Sequence, residues 1–228
     1  MLRIPSSIRL RSGKVIDIRR GERDKQLNDL CKKKEREIMN TTAENFLHGE
    51  ITKYIIPDLE RLLRLRPRRP DGLAGCTIPT AMLLFAITDL FGFLVRKDSR
   101  NPKIEDTKGN FKAIFSHPLA SFPNEYLARL DTLVYLFRNG LMHQIFPKAC
   151  GIAKAGKRAP LFDSFDGLDH LNVDCLAKDV LSMIFNFRDH ISDYDWTDLR
   201  TQMSRRLDGM AKRDFDERNH KRKAERKP

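Results

Sequence analysis

The sequence predicts an all-α protein: an antiparallel helix bundle with one small β-hairpin near residues 148–170. Apolar residues recur at helical spacing in several long segments, of which 130–146 and 171–191 are the most regular. The chain shows no alternation of strand and helix patterns of the kind that builds a parallel sheet. With 228 residues, it is long enough for one sizeable core.

The chain divides into three segments by composition. Residues 1–40 form a basic N-terminal arm, 41–197 carry the helical bundle, and 198–228 form a charged C-terminal helix or tail. The net charge of +12 favours an acidic partner: nucleic acid, an anionic membrane surface or an acidic protein. Four basic stretches are expected to supply nonspecific phosphate contacts: 61–69, 96–103, 154–158 and 212–227.

The bundle begins with two helical patterns separated by an arginine-rich loop. The first covers 43–63 and contains Pro57, which should kink or split the helix. The second, 78–96, is apolar for about the length of a membrane span. Because Asp89 lies inside it and a carboxylate is costly in lipid, a buried bundle helix is predicted instead. A buried carboxylate needs a cation or donors, so Asp89 should hold a helix end, a lysine or an arginine.

A helix over 122–146 has two apolar faces. On a wheel of about 100° per residue, its core face consists of Leu130, Val134, Phe137, Leu141 and Ile145. Its opposite face carries Tyr135, Leu136, Met142 and Phe146. A helix that is apolar on both sides needs two partners, and the second could be another segment or a second copy of the chain. In a twofold dimer the same face meets itself, so a homodimer through this helix is expected.

Three polar residues accompany the second apolar face: Asn139 and His143, which are one turn apart, and Arg138, which lies at the boundary of the core face. Histidine titrates near neutral pH, arginine can hold a phosphate, and asparagine can orient either. RNA supplies its own nucleophile, the 2′-hydroxyl, so a base and a cation suffice for cleavage without a metal. The structural alternatives are that Arg138 pairs with Asp131 or extends its charged end to solvent, that Asn139 only forms hydrogen bonds in a polar seam, and that His143 is structural.

The stretch FRNGLMHQ resembles the Arg-polar-x-x-x-His motif of the HEPN superfamily, in which an arginine precedes a histidine by four to six residues. The resemblance covers 122–147 and extends loosely over 40–195. It implies a HEPN-like helix bundle that dimerises through the motif helix. It also implies Arg138 as phosphate or transition-state ligand, Asn139 as polar helper and His143 as general base or acid.

The same resemblance implies a metal-independent endoribonuclease, a hydrolase of RNA in a toxin–antitoxin or other defence system, with an antitoxin or other protein as further partner. Some family members have lost activity and bind nucleic acids or partners. A non-catalytic binding module is therefore the alternative, and an interaction protein whose second apolar face packs on another chain is the third hypothesis.

No cofactor, no metal and no membrane association are expected. The four cysteines are scattered and form no cluster of metal-ligand spacing. The chain contains no glycine-rich phosphate loop. Its N-terminus shows no apolar signal core, so reduced thiols and a cytoplasmic location are expected.

Overall fold

The computed structural model describes residues 7–9, 15–17, 42–65, 77–97, 106–144, 151–153, 160–165 and 168–225. Within these ranges, the side chains of 7–9, 15–17, 142–144, 153, 163–165 and 214–225 lie outside the description. The described part is mostly helical with a small amount of sheet, which confirms the predicted helical class.

The helices of the described residues follow one another along the chain as α1 (Ile56–Arg64), α2 (Thr77–Val95), α3 (Thr107–Phe115), α4 (Asn124–Ala128), α5 (Asn139–Gln144), α6 (Val173–His190) and α7 (Thr197–Glu225). Two π-helical segments, Phe46–Ile55 and Thr132–Arg138, directly precede α1 and α5. The predicted helix 43–63 therefore changes its winding at Ile56. Pro57 is the second residue of α1, directly after the π-helical segment, in which the N–H of Ile56 donates to the carbonyl of Ile51. Because proline has no N–H to continue this series, the change of winding falls at the predicted kink.

The predicted β-hairpin is part of a three-stranded mixed sheet. β1 (Ser7–Arg9) and β2 (Val15–Asp17) form a separate antiparallel pair in the N-terminal arm. Farther along, β3 (Gly151–Ala153) pairs in parallel with β5 (Leu168–Asn172), and β4 (Phe162–Phe165) pairs antiparallel with the other edge of β5. The hairpin β4–β5 agrees with the prediction, but the parallel strand β3 was not predicted, because three residues are too few to show an alternation.

α2 is the central helix of the fold. It contacts α1, α3, α5, α6, α7 and β3. Phe91 of α2 meets Phe187 of α6 edge to face, with ring centroids 5.4 Å apart. Among the described residues, α2 is also the one helix that is long and apolar enough to cross a membrane. Its many helical neighbours account for the apolar composition, because this helix buries most of its circumference.

α7 covers the C-terminal end of α2. Gln202 Nε2 donates hydrogen bonds to the carbonyl oxygens of Leu94 at 2.9 Å and of Arg96 at 3.2 Å. The guanidinium of Arg206 donates to the carbonyl oxygens of Phe93 and Arg96. The last carbonyls of a helix have no intrahelical donor, so these side chains act as a cap supplied by another helix. The first part of the charged C-terminal segment is thus bound to the core.

Candidate functional site

Arg138 ends a π-helical segment, and this winding turns its side chain towards the core. The N–H of Asn139 donates to the carbonyl of Val134, five residues earlier, as in a π-helix. The wider turn brings residue 138 closer in angle to the fully buried Leu133 than an α-helical turn would. The α-helical wheel put Arg138 at the boundary of the core face. The wider turn moves it inwards, and its side chain is only 20% exposed.

Arg138 forms an ion pair with Asp89 of α2. Its Nη2 lies 2.8 Å from Asp89 Oδ2, and its Nη1 donates to Asn139 Oδ1 at 3.2 Å. The alternative partner, Asp131, pairs instead with Lys108 Nζ at 2.6 Å. The side chain of Asp89 is 14% exposed, so the pair is shielded from solvent more than an ordinary surface ion pair.

Asp89 also receives donors from α3. Asn110 Nδ2 donates to Asp89 Oδ1 at 2.9 Å, and Thr107 Oγ1 donates to Asp89 Oδ2 at 3.3 Å. Both donor residues are buried. One cation and two neutral donors therefore stabilise a carboxylate in the middle of an apolar helix. Of the partners expected for Asp89, a helix end, a lysine or an arginine, the contacts show the arginine.

Arg96 extends these contacts to the end of α2. Its Nη1 donates to Asn110 Oδ1 at 3.2 Å, and its Nη2 pairs with Asp106 Oδ2 at 2.8 Å. Because Arg96 donates to the side-chain oxygen of Asn110, the side-chain nitrogen of Asn110 is directed towards Asp89. The Arg96 side chain is only 12% exposed, and its described contacts join the end of α2 to α3.

Sequence reasoning missed Asn110 and Thr107. The need of Asp89 for donors indicated that partners exist, but no pattern said which helix supplies them. Two signals pointed weakly to α3. Asp106 is its N-cap and accepts from the N–H of Gly109 at 3.1 Å, which fixes where the helix begins. Gly92 follows Asp89 by three residues and so lies on the same face of α2, where a missing side chain allows close packing.

α5 carries the other two predicted site residues. Asn139 is its first residue, and its side-chain oxygen accepts the hydrogen bond from Arg138. His143 follows four residues later, so the two positions share one face of the helix. The side chain of His143 lies outside the described residues. The structure thus joins Arg138 to Asn139 and gives only the backbone position of His143.

The motif helix has a buried face and a partly exposed face. Of the predicted core face, Val134, Phe137 and Leu141 are buried and Leu130 is half-buried, while Ile145 lies outside the described residues. Leu133 is buried as well. On the other face, Tyr135 is 56% exposed and Leu136 is half-buried. Met142 and Phe146 lie outside the described side chains. Tyr135 is therefore the described aromatic side chain of this helix that a second chain can reach.

The described side chains offer electrostatic chemistry. A guanidinium is a planar fork of donors that matches the oxygens of a phosphate, and Asp89 and Asn139 hold the one of Arg138 in a fixed orientation. Within the described ranges, no three His, Cys, Asp or Glu side chains converge as a metal site would require. The arrangement can therefore orient an anion and stabilise charge that develops on it.

Comparison with known proteins does not assign the chain to a family. No protein-family model matches it. The search of curated proteins and the search of solved structures also find no match. The residues and contacts described above are therefore the basis of the functional assignment.

Proposed function

We propose that the chain is a metal-independent endoribonuclease of the HEPN type that acts as a homodimer. The observation that carries the proposal is the arrangement around Arg138. A half-buried arginine is held by a carboxylate at 2.8 Å and by Asn139 at 3.2 Å, one turn of helix before His143. Such an arginine is oriented before a substrate arrives, which is the condition for efficient electrostatic stabilisation of a transition state.

The proposed reaction uses the 2′-hydroxyl of RNA as nucleophile. His143 removes its proton as general base, the 2′-oxygen attacks the adjacent phosphorus, and the bond from phosphorus to the 5′-oxygen breaks. The proton that was removed is then returned to the leaving 5′-oxygen, so the products carry a 2′,3′-cyclic phosphate and a 5′-hydroxyl. Arg138 stabilises the charge on the phosphate oxygens, and Asn139 orients the arginine. A metal ion is unnecessary, because the substrate supplies the nucleophile and the arginine supplies the positive charge.

Two further observations support this proposal. The net charge of +12 suits a polyanionic partner, and exposed basic residues such as Lys97, Lys212 and Arg213 are available for phosphate contacts. The exposed Tyr135 on the motif helix suits a dimer in which two copies of the motif face each other. A role as a cytoplasmic toxin or defence effector with a protein antitoxin belongs to the same proposal through the family resemblance.

A non-catalytic module that binds RNA or a protein partner is the second candidate. The observation that favours it is again the ion pair of Arg138 with Asp89. A guanidinium that already has a carboxylate partner can serve mainly to join α2 to the motif helix. Binding without turnover would then be the property of the site.

The test is cleavage of an end-labelled single-stranded RNA in excess EDTA. Wild type is compared with His143→Ala, Arg138→Ala and, as matched control, His48→Ala, which removes an exposed histidine from another helix. We expect rates lower by about 100-fold or more for the first two variants, as for a lost general base or a lost charge stabiliser. The control should cleave like wild type. New 5′ ends should accept phosphate from a polynucleotide kinase, and a 2′-O-methyl RNA should stay intact.

Each outcome decides between the hypotheses. Binding of RNA by folded wild type without cleavage supports the binding module. Neither binding nor cleavage, together with a stable complex with another protein, supports an interaction protein. Equal cleavage by wild type and by His143→Ala excludes His143 from the site and contradicts the proposed mechanism.

A further inference from the structure

Asp89 has more hydrogen-bond partners than a simple helix-to-helix ion pair requires. Its Oδ1 accepts from Asn110, while its Oδ2 accepts from both Thr107 and Arg138. Replacement of a shielded ion pair by apolar residues is often neutral or stabilising in proteins. Stability alone therefore does not explain why a carboxylate stands in the most apolar helix of the chain.

We propose that Asp89 is a positioning residue of the ribonuclease site, which acts on the substrate through Arg138. This inference rests on the proposed function and assigns to it a residue that lies outside the Arg-polar-x-x-x-His motif. Because Asn110 holds Oδ1, the carboxylate group cannot rotate freely, and Oδ2 stays directed at the guanidinium. The orientation of Arg138 is thus fixed by α3 through Asp89.

The contacts leave Arg138 able to bind a phosphate. A guanidinium has five N–H donors. Within the described residues, Arg138 uses one of them towards Asp89 and one towards Asn139. Its side chain is 20% exposed, so a phosphate can approach without removal of Asp89. The two contacts thus leave three N–H donors of the guanidinium for a phosphate.

The charge of Asp89 gives this role a distinct kinetic signature. The carboxylate lowers the positive potential at Arg138, so it opposes ground-state binding of RNA. Its benefit lies in orientation, which contributes when charge develops in the transition state. Asp89→Asn should therefore lower kcat by about 10- to 100-fold, while KM stays unchanged or decreases. A residue that only stabilised the fold would not change kcat per folded molecule.

The experiment measures kcat and KM for RNA cleavage by wild type, Asp89→Asn, Asp89→Glu and a matched control, Asp179→Asn. Asp179 is a partly buried carboxylate that accepts from Tyr126 at 2.7 Å, away from Arg138. Folded fractions from circular dichroism scale every rate. We expect the lower kcat for Asp89→Asn, a smaller loss for Asp89→Glu, which keeps the charge but displaces it, and wild-type values for the control. An unchanged kcat for Asp89→Asn, or an equal loss in Asp179→Asn, overturns the assignment.

A second measurement separates this inference from the proposed function. Fluorescence anisotropy gives the affinity of a 2′-O-methyl RNA for wild type, Asp89→Asn, Arg138→Ala and the double variant. Arg138→Ala should weaken binding more in the Asp89→Asn background than in wild type, because an arginine without the neighbouring negative charge contributes more to ground-state binding. If wild type binds but does not cleave RNA, the ribonuclease proposal fails, and this coupling alone tests whether Asp89 acts through Arg138. If the two substitutions then change the binding free energy additively, that role of Asp89 is overturned. If wild type does not bind RNA, both proposals fail.

Discussion

Gly92 lies so close to Asn110 that a β-carbon at residue 92 would stand 2.1 Å from the carbonyl oxygen of Asn110. α2 and α3 therefore meet backbone to backbone, an approach that a residue without a side chain permits. The contact also sets the distance at which the Asn110 amide reaches Asp89, three residues before Gly92 on α2. One glycine thus controls both the packing of two helices and the contact between Asn110 and Asp89.

Gly92→Ala should destabilise the fold by about 1–3 kcal/mol, because the added methyl group meets backbone atoms that cannot move aside alone. Urea denaturation measures this change in the free energy of unfolding. Gly209→Ala in α7 is the matched control, since no atom lies within 4 Å of the place its methyl group would occupy and alanine favours a helix by about 1 kcal/mol over glycine. Equal effects of both substitutions would contradict the close contact.

His117 is packed in an aromatic environment that opposes its protonation. Its ring centroid lies 5.2 Å from that of Phe187 and 5.6 Å from that of Trp196, and its Nδ1 accepts from the N–H of Leu119 at 3.2 Å. Burial, aided by the charge of Lys97, lowers the pKa of His117 from 6.5 to about 4. The imidazole therefore stays neutral in the folded chain at mildly acid pH.

The free energy of unfolding should decrease as the pH falls from 6.5 to about 4. In this window the unfolded chain binds a proton at His117 and the folded chain does not, so acid favours the unfolded state. His117→Asn keeps an acceptor for the N–H of Leu119 but cannot titrate, and it should flatten the pH dependence. Urea denaturation at several pH values measures the slope, with His48→Asn as an exposed control. If the free energy of unfolding of His117→Asn depends on pH as steeply as that of wild type, His117 is accessible to protons in the folded chain.

Gln202→Ala should lower the free energy of unfolding by about 1 kcal/mol, because the carbonyls of Leu94 and Arg96 lose a donor. Arg206 also donates to Arg96, so the double variant with Arg206→Ala should lose more than the sum of the single losses. Thermal unfolding provides the measurement. Arg205→Ala, an exposed neighbour on the same helix, serves as control and should change little. Strict additivity would indicate that the two caps act independently.

Tyr135→Glu should dissociate the proposed homodimer, because a charge would be buried at the facing helices. Light scattering after size exclusion gives the mass of the particle at several concentrations. Tyr54→Glu is the matched control, since Tyr54 is 61% exposed on another helix. A wild-type monomer, or the same shift in both variants, would contradict a dimer through the motif helix.

The sequence predicted the elements whose apolar pattern is long and regular. α2 and α6 begin and end close to the predicted residues, and Phe137 and Leu141 lie on the buried face of the motif helix as expected. A long pattern averages over local irregularities, so both the type of element and its buried side follow from spacing. The carboxylate inside α2 at Asp89 also predicted a cation or hydrogen-bond donors beside it, and the structure shows both.

Features that depend on tertiary contacts were not predictable in this way. The choice of Asn110 and Thr107 as donors follows from how α3 packs on α2, and a nine-residue helix carries no pattern that reveals its neighbour. The winding of Thr132–Arg138 was missed, because a wheel with a fixed angle per residue assumes an α-helix. The roles of Arg138, Asn139 and His143 in catalysis remain predictions.

The π-helical segment Thr132–Arg138 also limits which changes in chain length this protein can tolerate. Deletion of one residue there would restore ordinary α-helical phase and rotate the two ends of the helix relative to each other. The chain could then keep Leu133 in the core, or Phe137 in the core with Arg138 beside Asp89, but not both. Surface loops accept such deletions readily. This helix should instead tolerate substitutions but not deletions, because the number of residues between its core positions and its ion pair is fixed.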